Sequence, residues 1–499
     1  MRLHKQIHPV RRDDQLFGTN GHPGQDGRYT LFGLSPSHGV HFIGIGGIGM
    51  SGLASICRER GFAINGCDVK AGRMQQFLQQ RGIPVALGHH PSHLTTEVGL
   101  AVYSSAISSQ EAELREARTR GIQTVSRGEL LAELASSAQL VAVAGAHGKT
   151  TTSGMAAQLL VQAGWDPTAV VGGTVLSLGS NARNGSGRYL VAETDESDGS
   201  FLLLNPAIAI VTNIDREHLN HYRTFENLVA AFRQFVRCLG PSGILIRCED
   251  DPIARETLSH ANQLTYGLKA PADVSATAIQ PCGLGSEFTA TYQGQRLGTF
   301  RLQVPGRHNV LNALAIVCLG LVLDIPMVVV REALWAFRGT SRRFQLLRLP
   351  HDIWFIDDYA HHPAEIRATL AASAVGGASD PFLGRRRVVV FQPHRFTRTK
   401  LLEQEFMSCF EQADGLIITD IYSAHEPPIP QVSGERLAGL IRAQGNSRCV
   451  RYVPRSELLG FLSHVVQPED CVFFLGAGDI GDLCHELARQ LRAIQRATG

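Results

Sequence analysis

Apolar and polar residues alternate along the chain in blocks that predict short strands and amphipathic helices in turn. Residues 40–43 form an apolar run that predicts a buried strand, residues 51–60 predict a helix, and residues 63–67 and 100–103 predict two further strands. This alternation is typical of βαβ units, in which helices cover both faces of a parallel sheet. The pattern therefore predicts the α/β class.

The same strand–loop–helix opening recurs twice further along the chain. Residues 140–144 predict a buried strand that leads through a glycine loop into a helix at 151–163, and another strand begins near residue 353. A chain of 499 residues is long enough for two or three domains. We predict two Rossmann-like domains flanking a central domain with a mixed or parallel sheet. The predicted boundaries are a disordered extension at 1–38 and domains at 39–137, 138–338 and 339–499.

Composition excludes several classes of protein. Apolar residues make up 44 % of the chain and the formal net charge is only +2, which argues against a disordered chain and against a nucleic-acid-binding coat. The longest apolar run, residues 313–323, is too short to span a bilayer, and no secretory signal is evident. The ten cysteines include no CxxC, and no Cys/His cluster has zinc spacing. We therefore expect reduced thiols in a cytoplasmic protein without membrane insertion.

A first glycine loop follows the strand at 40–43. Gly44, Gly46 and Gly49 fit the pattern GxGxxG, and Asp68 stands at the end of the next predicted strand. Glycines let the backbone approach a diphosphate at a helix N-terminus, and the acid suits a ribose hydroxyl. The pattern does not specify the nucleotide, and a tight strand–helix turn without a ligand remains the alternative.

A second glycine loop, residues 145–152, reads Gly-Ala-His-Gly-Lys-Thr-Thr-Thr and also lies between a predicted strand and a predicted helix. Its backbone amides would surround phosphates, Lys149 would neutralise phosphate oxygens and the Thr150 hydroxyl would reach Mg²⁺. The full Walker spacing is absent because position 143 is valine. Lys149 is nevertheless notable, since the chain has only five lysines.

Carboxylates follow a later strand, where a nucleotide-bound magnesium would need them. Four acids lie within residues 193–198, and Glu193 is the favoured ligand because it is nearest the strand. A solvated acidic loop is the alternative for such a charge run. His218 follows the next strand end, but a lone histidine would not be selected on its own.

Several segments, in this order along the chain, resemble the Mur ligase family of ATP-dependent, amide-forming enzymes of peptidoglycan synthesis: residues 145–151, Glu193, 212–213, 306–313 and 358–363. The resemblance extends from about residue 40 to the C-terminus. Finer features are similar to the member that joins L-alanine to UDP-N-acetylmuramate, namely residues 44–50, 103–107, 178–183 and 391–399. The oligomeric state, monomer or weak dimer, stays undetermined.

The resemblance implies which residues bind each substrate. The N-terminal domain would bind the UDP-sugar through Gly44, Gly46, Gly47, Gly49, Asp68, Ser104 and Ser105. ATP would contact Gly145, Ala146, His147, Gly148, Lys149, Thr150, Thr151, Asn213, His308, Asn309, Asn312, Arg343 and Asp358. Thr150, Glu193 and His218 would bind Mg²⁺, and Lys149, Glu193 and His218 are the implied catalytic residues. Tyr359, His361, Arg395 and Arg398 would bind the amino acid, with surface arginines as the alternative for the last two.

The sequence departs from the family pattern beside the metal-site histidine. Glu217 precedes His218 where the family commonly has aspartate, and Leu219 and Asn220 replace a common Met-Asp pair. Several sister ligases also use a carbamoylated lysine, and alignment by eye places Phe232 at that position. No lysine occurs between Lys149 and Lys269, so we predict an active site without a carbamate.

The implied reaction is phosphorylation of the muramic lactyl carboxylate by ATP, followed by attack of the L-alanine amine on the acyl phosphate. Three alternatives stay open at this point. A sister ligase adds a preformed tripeptide to the same sugar nucleotide. The first glycine loop could instead mark a nicotinamide-dependent oxidoreductase, and the chain could be a nucleotide-gated binding module without catalytic activity.

Overall fold

The computed structural model describes residues 29–69, 72–373, 382–444 and 449–498. The described residues form three sheets with helices between their strands, which confirms the predicted α/β class. One compact unit comprises residues up to 278 together with 289–300 and 311–337, and the second comprises 279–288, 301–310 and 338 onward. The domain boundaries near residues 138 and 339 stay a prediction.

The N-terminal sheet is five-stranded and parallel, with the strand order β3-β2-β1-β4-β5. Its strands are β1 (Gly39–Ile43), β2 (Ala63–Asp68), β3 (Val85–Leu87), β4 (Val98–Tyr103) and β5 (Gln123–Ser126). Its helices are α1 (Ile48–Glu59), α2 (Arg73–Gln80), α3 (Ala112–Thr119) and α4 (Arg127–Ala135). All five residues of β1 are buried because this strand is central and its sheet is covered on both faces.

Residues 29–38, which belong to the extension predicted as disordered over 1–38, include side chains that pack against the N-terminal domain. Leu31 is 1 % exposed and packs into the hydrophobic core, and the Phe32 amide donates to Glu133 Oε1 at 2.9 Å. The Arg60 guanidinium also lies 4.8 Å from the centre of the Tyr29 ring. Residues 29–32 therefore pack against the N-terminal domain, through the hydrophobic core and through contacts with Glu133 of α4 and with Arg60, which follows α1. Residues 1–28 lie outside the described part of the chain.

The second sheet has ten strands in the order β15-β14-β13-β12-β11-β10-β6-β9-β7-β8. Its strands are β6 (Gln139–Ala144), β7 (Thr168–Val175), β8 (Ser180–Arg183), β9 (Tyr189–Glu193), β10 (Ile208–Val211), β11 (Ile244–Cys248), β12 (Gln263–Gly267), β13 (Val274–Cys282), β14 (Gly285–Tyr292) and β15 (Gln295–Leu302). Strand β6 pairs in parallel with β9 and β10, whereas β7 and β8 are antiparallel, so the sheet is mixed. The accompanying helices are α5 (Lys149–Gln162), α6 (Leu219–Tyr222), α7 (Phe225–Arg237), α8 (Pro252–Thr257), α9 (Arg307–Val322) and α10 (Met327–Ala336).

The third sheet has six strands in the order β16-β17-β21-β18-β19-β20, and only the edge pair β16–β17 is antiparallel. Its strands are β16 (Gln345–Arg348), β17 (Trp354–Asp358), β18 (Arg387–Phe391), β19 (Gly415–Ile418), β20 (Cys449–Tyr452) and β21 (Cys471–Leu475). Its helices are α11 (Pro363–Ala372), α12 (Phe396–Leu401), α13 (Glu403–Ser408), α14 (Gly434–Ala443), α15 (Leu458–Val465) and α16 (Ile480–Thr498). Among the described helices, none is both long and apolar enough to cross a membrane.

Candidate active site

The loop between β6 and α5 has a backbone that glycine alone accommodates well. Gly145 has φ +134° and Gly148 has φ +81°, both in the region that L side chains rarely adopt. A Cβ on Gly145 would collide with Thr212 Oγ1 of the strand end that follows β10, and one on Gly148 would lie 2.7 Å from Asn312 Oδ1. The loop is therefore packed tightly against Thr212 and Asn312, and its shape depends on both glycines.

Asn213 stabilises this loop by accepting and donating hydrogen bonds. The His147 amide donates to Asn213 Oδ1 at 2.8 Å, and Asn213 Nδ2 donates back to the His147 carbonyl at 3.0 Å. The Thr212 hydroxyl donates to the same carbonyl at 2.7 Å. The His147 ring lies 2.8 Å from Asp215 Oδ2. These contacts fix the loop beside the end of β10, and the predicted ATP role of Asn213 and His147 stays a prediction.

Lys149 begins α5, and its ammonium is directed back to the loop. Nζ donates to the Gly145 carbonyl at 2.5 Å and to Glu196 Oε1 at 2.7 Å. Burial acts to lower the pKa of Lys149, but the Glu196 carboxylate outweighs this and raises the pKa above its usual value. The loop therefore contains a largely buried ammonium at the residue predicted to bind phosphate.

Thr150 and Glu193, the residues predicted as two of the metal ligands, contact each other. The Thr150 hydroxyl donates to Glu193 Oε1 at 2.9 Å, and the Gly172 amide donates to Glu193 Oε2 at 2.6 Å. Strand β9 places Glu193 opposite Val143 of β6, beside the loop between β6 and α5, which we call the phosphate loop (residues 145–152). A hydroxyl and a carboxylate at this point are oxygen donors of the kind that Mg²⁺ prefers.

His218 lies with two carboxylates, Glu196 and Glu217, neither of which was among the predicted metal ligands. Its Nε2 is 3.4 Å from Glu196 Oε1 and 3.6 Å from Glu217 Oε2, and the three side chains form a group that could bind a metal ion. Glu196 is 2 % exposed, and its Oε2 accepts no hydrogen bond among the described residues. A buried carboxylate oxygen without a donor fits an Mg²⁺ site. Glu196 could have been found in the sequence only as one of the four acids that follow β9.

Four of the residues that the resemblance assigns to ATP lie in the second unit: His308, Asn309, Arg343 and Asp358. Asp358 accepts hydrogen bonds from the Phe344 and Ala360 amides, both at 2.8 Å, and burial raises its pKa to about 6. Burial lowers the pKa of His308 to about 4, with nearby Arg343 adding to the effect, so the ring is neutral at pH 7. Asn309 Nδ2 donates to the Pro305 carbonyl at 2.7 Å. The roles of these residues toward ATP stay predictions.

The first glycine loop is held by the end of β2. The amides of Gly44 and Ile45 donate to the Cys67 carbonyl at 2.9 and 3.0 Å, and the Gly46 amide donates to Asp68 Oδ2 at 2.8 Å. Gly44 has φ +82° and lies against Ser104, whose Cβ would be 3.2 Å from a Cβ at Gly44. Asp68 thus positions the loop, and its role toward a ribose stays a prediction. Of the other residues predicted there, Gly47 precedes α1, Gly49 lies in its first turn and Ser105 is exposed.

The residues predicted to bind an amino acid surround His394, which the sequence analysis did not select. The His394 ring centre is 5.6 Å from that of His361, which itself lies 5.4 Å from the Tyr359 ring. Arg398 donates from a guanidinium nitrogen to His394 Nδ1 at 3.1 Å. Burial lowers the pKa of His394 to about 2, and His361 and the nearby arginines add to this, so its ring is a neutral acceptor.

Arg395 takes a different position from Arg398. It precedes α12 with φ +70°, while Arg398 lies inside the helix, so the two do not share one helix face. An Arg395 guanidinium nitrogen is 3.8 Å from Glu426 Oε1. A φ in this region is uncommon for a residue with a side chain and is often maintained at functional sites.

The arrangement around residues 145–152 is typical of phosphate-loop nucleotide-binding proteins. It consists of a strand, two glycines with positive φ, a lysine and a threonine that begin a helix, and a carboxylate at the end of the neighbouring strand β9. Family models match the chain over residues 39–139 (Mur ligase family, catalytic domain), 143–320 (Mur ligase middle domain) and 342–478 (Mur ligase, glutamate ligase domain). The chain belongs to the Mur ligase family, as its sequence motifs predicted.

Individual relatives are similar over nearly the whole chain. A UDP-N-acetylmuramate–L-alanine ligase of Sorangium cellulosum is 45 % identical over 91 % of this chain and 96 % of its own length. One of an Anaeromyxobacter species is 46 % identical over 93 % of this chain and 100 % of its own. The crystal structure of UDP-N-acetylmuramate-alanine ligase from Thermotoga maritima has a TM-score of 0.79 and 28 % identity, covering 91 % of this chain and 99 % of that one.

Proposed function

We propose that this protein is an ATP-dependent ligase of peptidoglycan synthesis that joins L-alanine to the lactyl carboxylate of UDP-N-acetylmuramate in the cytoplasm. The observation that carries the proposal is the phosphate loop, where the Lys149 ammonium, the Thr150 hydroxyl and the Glu193 carboxylate lie together. The near full-length similarity to L-alanine ligases supports the choice of substrates. The three substrates would occupy three successive parts of the chain, divided near residues 138 and 339.

The reaction needs a better leaving group than a carboxylate oxygen. The lactyl carboxylate oxygen bonds to the γ-phosphorus of ATP while the bond to the β-phosphate oxygen breaks, which releases ADP. The alanine amine then attacks the acyl carbon, loses a proton, and phosphate leaves as the amide forms. In this scheme the protein contributes positioning and charge neutralisation, each capable of lowering the barrier by several kcal/mol.

Lys149 and the loop amides would bind the β- and γ-phosphates, which requires the ammonium to exchange its contacts with Gly145 and Glu196 for phosphate oxygens. Thr150, Glu193 and His218 would bind magnesium. Glu196 joins this set because it lies beside His218 and because its Oε2 accepts no hydrogen bond among the described residues. A bound magnesium ion would neutralise charge that develops on the phosphates. Once Lys149 contacts the phosphates, both oxygens of Glu196 would be available to the metal ion.

The L-alanine carboxylate would be bound near His394 by Arg398, with Arg395 adjacent. We expect Arg398→Ala to raise the KM for alanine at least about tenfold while changing the KM for ATP little, because a charge-assisted hydrogen bond contributes about 1.5–3 kcal/mol. Arg395→Ala should act in the same direction. Steady-state kinetics with each substrate varied in turn make the measurement.

A matched control for the arginine prediction is Arg436→Ala, which removes an arginine that pairs with Glu403 on the surface of α13 and α14. This variant should have ordinary values of KM for both substrates. If Arg398→Ala raised both KM values equally, or neither, the arginine would be a surface residue without a role toward alanine.

The predicted lack of a carbamate in the active site can also be tested kinetically. Phe232 is 1 % exposed and packs edge-to-face against Phe201 at 5.4 Å, so this position of α7 belongs to the hydrophobic core. We expect activity to be insensitive to removal of dissolved CO₂ and bicarbonate at constant pH. A sister ligase that carries the lysine provides the positive control. Reversible loss of activity, restored by bicarbonate, would contradict the prediction.

The experiment that tests the function measures phosphate release from ATP with UDP-N-acetylmuramate and a panel of amino donors. We expect release to require both the sugar nucleotide and L-alanine, with formation of the amide product. Preference for a tripeptide would support the sister activity instead. ATP binding without formation of the amide product would support a binding module. A fluorescence change on adding NADH would support the oxidoreductase alternative.

A further inference from the structure

Four metal-binding side chains converge in the N-terminal sheet, away from the phosphate loop. They come from β1, β2, the 3₁₀ turn Pro91–His93 and α3, and their ligand atoms all lie within 4.8 Å of one another: His41, Cys67, His93 and Glu113. The sequence shows no zinc spacing because these residues are separated by 20 or more positions. The fold, rather than a linear motif, brings them together.

Glu113 lies at the centre of this cluster. Its Oε1 is 2.8 Å from His41 Nε2 and 3.1 Å from His93 Nδ1, and its Oε2 is 2.9 Å from Cys67 Sγ. Cys67 Sγ and His41 Nε2 are 3.8 Å apart. Ligand atoms around a tetrahedral zinc ion lie about 3.3–3.8 Å apart, given bonds of about 2.0–2.3 Å. Small outward movements of these side chains would therefore make room for such an ion.

The orientation of the His41 ring suits metal binding. Its Nδ1 lies 2.6 Å from Asn65 Oδ1, a contact in which Nδ1 can donate while Nε2 binds a metal ion. Its Nε2, on the other side of the ring, lies 2.8 Å from Glu113 Oε1, inside the cluster. His41 and Asn65 are register partners in β1 and β2, so the sheet itself maintains this orientation. A metal-bound histidine characteristically donates its other N–H in this way.

Charge and burial also favour a divalent cation. The side chains of Glu113 and His41 are 0 % and 1 % exposed, and a buried carboxylate needs a compensating positive charge. One divalent ion balances the carboxylate and the Cys67 thiolate, while the two histidines bind as neutral ligands. His89 Nδ1 lies 3.0 Å from Cys67 Sγ and could donate to the thiolate. His93 is 22 % exposed, which gives an ion a route into the cluster.

We propose that His41, Cys67, His93 and Glu113 form a structural zinc site. Mixed nitrogen, sulfur and oxygen donors suit zinc better than magnesium or calcium, and four protein ligands leave no open position for catalysis. The Cys67 carbonyl accepts from Gly44 and Ile45, so the ion would stabilise the strand end that positions the first glycine loop. This proposal does not depend on the proposed function.

Zinc content of the full-length protein, purified without a polyhistidine tag, tests the proposal directly. After incubation with zinc sulfate and gel filtration, mass spectrometry of the metal should give about one ion per chain that resists a weak chelator, as expected for a four-ligand site. Cys67→Ala and Glu113→Gln should lose most of this zinc. The matched control is Cys57→Ala, which removes a buried thiol of α1 in the same domain and should retain it.

Cobalt substitution of the unmodified protein gives a second readout that does not require a variant to fold. Cobalt bound at this site should produce a thiolate-to-metal charge-transfer band in the near ultraviolet, and added zinc should remove it. The proposal would be overturned by wild-type protein without tightly bound zinc, by bound cobalt without the thiolate band, or by a folded Cys67→Ala that retains as much zinc as Cys57→Ala.

Discussion

Replacing Lys149 by alanine is expected to reduce the rate of ligation by about 10²–10³-fold. Electrostatic groups directed at a reacting centre each contribute about 10²–10³ to kcat, and Lys149 is the lysine of the phosphate loop that we propose binds the ATP phosphates. None of the other four lysines is in this loop, and Lys269 is exposed on the loop after β12. Lys269→Ala is therefore the matched control and should have normal turnover.

The contacts of Lys149 also make its effect on folding predictable. Its ammonium is paired with Glu196, whose side chain is 2 % exposed, and removing one partner of a buried ion pair costs about 3–5 kcal/mol. Lys149→Ala should consequently lower the melting temperature. The double variant Lys149→Ala/Glu196→Gln should regain much of this stability without regaining ligation, because the amide carries no buried charge but also attracts no phosphate.

Phosphate release and thermal unfolding measured on the same preparations separate these two effects. Near-normal turnover by folded Lys149→Ala would overturn the assignment of the phosphate loop. An inactive single variant whose stability equals that of the wild type would instead show that the Glu196 pair contributes little to folding.

Local patterns in the sequence were sufficient to predict the two glycine loops, but not all of the side chains that the fold brings into contact with them. The strand, glycines and lysine of residues 140–149 are contiguous, so their structure follows from local geometry. Glu193 was predictable because it directly ends a strand, and the register of β9 with β6 places it beside the loop. Glu196 lies three residues later in an irregular segment, whose path no periodicity indicates.

The groups that were missed depend on which strands are neighbours. His41 and Cys67 meet because β1 and β2 are adjacent, and Glu113 reaches them only because α3 covers the same part of the sheet. His394 likewise acquires its neighbours from the turns after β17 and β18, which are separated in the sheet by β21. Sequence spacing carries little information on such contacts, since strand order is a property of the whole domain.

Replacing Gly46 by valine is expected to raise the dissociation constant for the UDP-sugar at least about 100-fold, or about 2.7 kcal/mol. Gly46 has no positive φ, so the effect is steric rather than conformational: an added Cβ would lie 2.8 Å from Asp68 Oδ2. That carboxylate oxygen accepts from the Gly46 amide at 2.8 Å, so valine would displace the group that holds the loop. The diphosphate would then lose its close approach to the backbone at the start of α1.

Calorimetry on the full-length protein should show this loss for the UDP-sugar alone, with ATP affinity unchanged, because the two glycine loops belong to different sheets. Gly72→Val is the matched control: Gly72 has an extended backbone, with φ −153°, and an added Cβ would have no neighbour within 4 Å among the described residues. Unchanged UDP-sugar affinity in Gly46→Val would show that the first glycine loop does not bind the UDP-sugar. Equal loss of both nucleotides would indicate general misfolding, which circular dichroism of the same samples would detect.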